Sequence, residues 1–352
     1  MLVAAVLGAA SGCTDPVAPT VPVAATTTSS AAIAERLDAA IATGSQTGFV
    51  SAFSSDDRTR AVASSGFGVL TAGSASLTSP ADGRLRADYR LPGDRGPAAE
   101  TVRFTLEPGT DRIASMTADG DTLPLWAYPD VVVTPATSGT LVSVSLDAAS
   151  RTGWADRLDR AARVVDAAGV GQGWTGGLVV EVPPQGRFGE VSGASADDAS
   201  AITVCGSGTP RIVVNPAVLS QPAEWLDSTL VHEAVHVATN SACVASGASL
   251  GWAVEGLAES VAAASDRGTA SRNRALVVAH LKEHGVPDAL PADPESLTDY
   301  ALAQFAADQV RAHLGADADE FWQRAIHDAD SVSSAEIARI TRWYRDALAD
   351  LA

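Results

Sequence analysis

Residues 222–240, PAEWLDSTLVHEAVHVATN, constrain the fold more than any other stretch of this chain. Leu226, Leu230, Val231, Ala234, Val235 and Ala238 recur at helical spacing and predict one amphipathic helix. His232 and His236 lie on that helix four positions apart, one turn along the same face. Two imidazoles so placed can address a single ion at ~2.0–2.1 Å from each nitrogen. Glu233 follows the first histidine directly and cannot aim along the same vector. It can stand over an open position of that ion and take a proton from water.

Such a pair needs a third protein ligand from another element. The next apolar-periodic segment is Trp252-Ala253-Val254-Glu255-Gly256-Leu257-Ala258-Glu259, and 18 residues separate His236 from Glu255. A second helix carrying Glu255 would close a His2Glu set. The intervening SACVASGASLG is small and flexible, as a loop between antiparallel helices must be. Glu259 falls one turn after Glu255 on the same side. A carboxylate there can accept the free N–H of a ligating histidine and fix its tautomer.

The run His232-Glu233-x-x-His236, 18 residues, then Glu255-Gly256-x-Ala258 resembles the gluzincin zinc metallopeptidases, at the interval of their aminopeptidase N-like branch. The resemblance implies a Zn2+ cofactor held by His232, His236 and Glu255, with Glu233 as general base and a peptide or protein as substrate. It spans about residues 145–350. Tyr300 through Phe305, His313-Leu314-Gly315 and Phe321 follow the family's downstream helix-loop-helix rhythm. By position Tyr300 would donate a hydrogen bond to the oxyanion, although the Lys-Gly that usually follows is absent. A half-buried aromatic at a helix start is the other reading of Tyr300. No Gly-x-Met-Glu-Asn-like segment precedes the helix, so the resemblance does not extend to aminopeptidase specificity. The chain is also similar to uncharacterised actinobacterial lipoprotein peptidase-like proteins. RIVVNP (211–216) reads as an apolar strand, and an edge strand there could hold an extended peptide by backbone pairing. A catalytically degenerate, peptidase-like surface-binding lipoprotein is the alternative reading.

The N-terminus reads as an address. LVAAVLGAA (2–10), then Ser11-Gly12-Cys13, resembles a bacterial lipoprotein signal peptide (1–12), which implies lipidation of Cys13. Position 10 is Ala where Leu is usual, and no Lys or Arg precedes the apolar run. A plain secretory signal is the other reading; both place the protein outside the cytoplasm, lipid-anchored or secreted. Residues 13–30 form a Pro/Thr/Ala/Ser linker. Setting Cys13 aside leaves Cys205 and Cys243, either a disulfide suited to an oxidising compartment or two buried thiols. Acids outnumber bases 42 to 24, a net charge of −18, which argues against a nucleic-acid partner and against charge-driven docking on anionic lipid. Membrane contact would then come only through Cys13.

The expected fold class is α+β in two parts. In residues 31–135 a helix (31–43) precedes alternating strands at 83–91, 100–107 and 112–119, a pattern similar to the nuclear-transport-factor-like cone. Residues 136–352 form the metallopeptidase-like part. Strands at 139–145, 177–183 and 211–216 accompany a helix at 152–168, and the chain after 222 is mostly helical. Ser333-Ser334-Ala335-Glu336 has capping-box spacing and opens a last helix with Ile337, Ile340, Trp343 and Tyr344 on its apolar face. His280 and His284 are also one turn apart but lack a third partner, and His313 and His327 read as surface residues.

Overall fold

The computed structural model describes residues 29–144, 146–194, 199–245 and 247–352; the signal segment, most of the linker and Cys13 lie outside the described residues. Three helices open the chain: α1 (Ser30–Ala42), α2 (Gln46–Ser51) and α3 (Asp57–Thr71). Ser29 and Asp56 cap α1 and α3 by accepting from Ala32 N and Thr59 N. α1 buries Ile33, Ala34, Leu37 and Ala40, the face its spacing predicts. The antiparallel meander β1 (Ser74–Thr78), β2 (Arg84–Arg90), β3 (Ala98–Leu106), β4 (Ile113–Ala118) follows. In β2, Leu85, Ala87 and Tyr89 point inward while the residues between them are wetter, the alternation of a sheet with one covered face. β1, α2 and α3 carry weak periodicity and were not expected from sequence.

A second sheet has the order β5-β6-β7-β9-β8: β5 (Val132–Ala136), β6 (Gly139–Ser143), β7 (Leu178–Val182), β8 (Ala201–Val204) and β9 (Arg211–Val214). α4 (Ala148–Ala167) is the crossover between the parallel strands β6 and β7. All residues of β6, β7 and β9 are buried, because both faces are covered. Leu141, Leu178, Val180, Val182, Ile212 and Val214 meet α4 and the C-terminal helices. Val142, Val179 and Val213 meet the N-terminal unit and α5 (Phe188–Ser192). RIVVNP is therefore not an edge strand: β9 pairs with β7 on one side and β8 on the other. The short β8, between Ser200 and Cys205, takes the edge. Pro135 is tolerated in β5 because β5 is the opposite edge.

The remaining elements are α6 (Ala223–Thr239), α7 (Gly251–Ser265), α8 (Arg267–His284), α9 (Leu297–Leu314), α10 (Ala318–His327) and α11 (Ser334–Ala349). The capping box at Ser333 and Glu336 forms, and Ile340 and Tyr344 are fully buried. Among the described residues no helix is long and apolar enough to cross a membrane.

The β2–β3 loop joins the two units. Gly93 (φ +103°) lies so close to β7 that a Cβ there would come within 2.4 Å of the Leu178 carbonyl. Asp94 accepts from Arg211 at 3.0 and 2.8 Å, a forked pair with both side chains buried. Arg95 donates to the Val237 and Ala238 carbonyls at 3.1 and 2.6 Å, capping the C-terminus of α6 with a positive charge.

Candidate metal centre

α6 carries His232, Glu233 and His236 in its buried last turns. It ends at Asn240, whose left-handed conformation (φ 58°) reverses the chain. The reversal places the Ser241 hydroxyl 3.1 Å from His236 Nδ1. Cys243, two residues on, is disulfide-bonded to Cys205 just after β8, with 5.1 Å between the Cα atoms. The edge strand and the end of the histidine helix are thus tied together.

α7 supplies Glu255. Gly256 lets α7 press against α9, since a Cβ there would lie 2.4 Å from the Ala303 carbonyl oxygen. His232 Nε2 is 3.1 Å and His236 Nε2 is 3.5 Å from the same oxygen, Glu255 Oε2. One ligand atom from each of the three residues lies within 4.8 Å of the others. Ligand atoms ~2 Å from a tetrahedral ion are roughly 3.3 Å from one another, and the two measured separations bracket that value. The donor set and its spacing fit a divalent cation. Among the described residues no other group of three does so.

The outer nitrogens are occupied. His232 Nδ1 is 3.0 Å from Glu259 Oε2, so the ring donates there and turns Nε2 toward Glu255. Burial pushes His232 down, but hydrogen bonds to Glu255 and Glu259 more than reverse this and hold it well above the ordinary histidine value. Burial likewise raises Glu255, and the two imidazoles pull it far below the usual carboxylate range. Glu259 is lowered despite burial, chiefly by His232 and then Asn273. A divalent cation held there would have to displace the proton between His232 and Glu255.

Two further groups border the centre. The Thr203 hydroxyl of β8 donates to Glu233 Oε2 at 2.8 Å and lies 3.1 Å from the Glu233 carbonyl oxygen. Tyr300, in the first turn of α9, meets the His232 ring edge-on at 5.8 Å between centroids. Burial, then the Glu255, Glu233 and Glu259 carboxylates, push its phenol well above the ordinary value, so it remains a donor.

The structure therefore brings His232, Glu233, His236, Glu255, Glu259 and Tyr300 together, and pairs Cys205 with Cys243. Thr203, Ser241 and Asn273 belong to the same neighbourhood and carry no sequence signal; each reaches it through a contact between separate elements or across a chain reversal. The His280 and His284 rings lie tilted at 55° with centroids 4.8 Å apart, and the His313 ring lies flat on Trp343 at 4.3 Å, a packing contact between α9 and α11. No protein-family model and no curated protein matches the chain.

Proposed function

We propose that this chain is an extracytoplasmic zinc-dependent metallopeptidase of gluzincin type. The carrying observation is that both Nε2 atoms face one oxygen of Glu255 while their Nδ1 atoms are engaged elsewhere. His232, His236 and Glu255 would hold the zinc, which supplies Lewis acidity toward water and a scissile carbonyl. Glu233 takes a proton from the attacking water and returns it to the leaving amine. Thr203, bonded to one oxygen of Glu233, fixes the plane of that carboxylate and leaves the other oxygen for the water. Tyr300, which keeps its proton, donates to the oxyanion of the tetrahedral centre. A paired Cys205 and Cys243 suits an oxidising compartment, and this supports export, with Cys13 as the anchor.

One observation favours the silent alternative, a surface-binding protein that holds metal without turnover: Glu233 is only 7% exposed and already bonded to Thr203. Hydrolysis of a denatured protein substrate decides between the two. The peptidase reading expects cleavage that a chelator abolishes and added zinc restores. Zinc binding without cleavage of any peptide in a broad library would favour the silent reading.

A further inference from the structure

Beyond Glu259 the polar chain continues into the helical core. Asn273, 2% exposed on α8, donates through Nδ2 to Glu259 Oε1 at 2.6 Å and to Gln304 Oε1 at 2.7 Å. Its Oδ1 accepts from Arg272 Nε at 3.3 Å. Gln304, buried on α9, donates to Asp308 Oδ2 at 3.2 Å, and Asp308 Oδ1 accepts from Ser260 Oγ of α7 at 2.6 Å. Three helices are crossed by one hydrogen-bonded series.

Its surroundings are apolar. Ala301, Ala303, Ala306 and Ala307 of α9 and Ala258 and Ala262 of α7 pack at the same interface with essentially no exposure. Burying two amides and two carboxylates there costs free energy unless every group is paired. They are paired, and in one sense only. Glu259, as a carboxylate, can only accept, so the Asn273 amide must present Nδ2 to it. Gln304 must then turn its oxygen to Asn273 and its nitrogen to Asp308. Rotating either amide by half a turn would set donor against donor or oxygen against carboxylate.

The spacing repeats a theme. Glu255 and Glu259 are four apart on α7, and Tyr300 and Gln304 are four apart on α9. On each helix one residue faces the metal centre and the next turn enters the series.

We infer that Asn273 is a positioning residue for the metal ligand His232, acting through Glu259, and that Gln304 uses the same contact to fix the helix bearing Tyr300. This rests on the metal reading above. Asn273 holds one oxygen of Glu259, so the other is fixed where His232 Nδ1–H must meet it. The imidazole is oriented before any ion arrives.

Zinc affinity of the full chain, measured by competition with a chromophoric chelator, tests this. Asn273→Leu keeps the volume and removes both donors. It should weaken zinc binding about tenfold, the low end of what outer partners of metal ligands contribute. In a Glu259→Ala background the same substitution should change affinity little, because the carboxylate it acts on is gone. Gln304→Met serves as the second variant and should weaken binding in the same direction with normal helical circular dichroism. Unchanged affinity in both variants, or an equal loss with and without Glu259, overturns the inference and leaves the metal reading intact. Failure of the unmodified chain to bind zinc overturns both.

Discussion

At the scale of single residues, the proposed function makes Glu233 the residue that separates binding from chemistry. Its carboxylate is bonded to Thr203 rather than to either histidine, so neutralising it leaves the three metal donors in place. Glu233→Gln should retain zinc by mass spectrometry and lose about 10²–10⁴ in kcat, the usual contribution of general base catalysis. Tyr300→Phe should likewise keep its metal and lose about 10²–10³ in kcat, the scale of one oxyanion donor; an unchanged kcat would return Tyr300 to a packing role. His232 and His236 were legible because helical periodicity converts a spacing of four into a shared face, and Glu255 because the next apolar-periodic segment carries it. Glu259 was legible from its spacing of four after Glu255. Thr203, 30 positions from Glu233, and Asn273, 14 from Glu259, were not, since nothing local marks a residue for a contact between elements.

At the scale of elements, the centre depends on how closely α7 approaches α9. Gly256 sits where that approach is tightest. Gly256→Ala must push the helices apart, and thermal unfolding should report a loss of about 1–3 kcal/mol, as for other overpacked cores. Zinc affinity should fall with it, because Glu255 precedes Gly256 directly. Elements with a strong apolar pattern were readable from sequence to within a few residues: α6 from its apolar stripe, β7 and β9 from Val- and Ile-rich runs. The position of β9 within the sheet was not. Strand order is set by pairing partners, and β8, with four residues and no run of apolar side chains, gave no warning that it would take the edge.

At the scale of the molecule, the α+β class was legible, whereas the way the two units share one sheet was not. The N-terminal unit packs on the face of the second sheet opposite α4 and α6, and a buried charge cluster lies in that contact. Arg211 meets Asp94 and Glu181 directly, and Glu100 at 3.7 Å, so one cation faces three carboxylates. Burial, opposed by Arg211 and reinforced by Glu100 and Asp94, pushes Glu181 up to about 7. The folded protein then binds a proton that the unfolded chain has released. Stability from this group is full below the ordinary glutamate value and is lost as pH rises through about 7. Unfolding midpoints in urea should fall between about pH 5 and about pH 8, and Glu181→Gln should flatten that fall. Parallel pH profiles for the two proteins would remove Glu181 as the cause.

The proposed function requires that His232, His236 and Glu255 form one ion site. Zinc content per purified chain, measured by mass spectrometry beside Glu255→Ala, tests it most directly. About one zinc per chain is expected, lost when the third ligand is removed. A metal-free chain after incubation with zinc, or full zinc retention in Glu255→Ala, would contradict it.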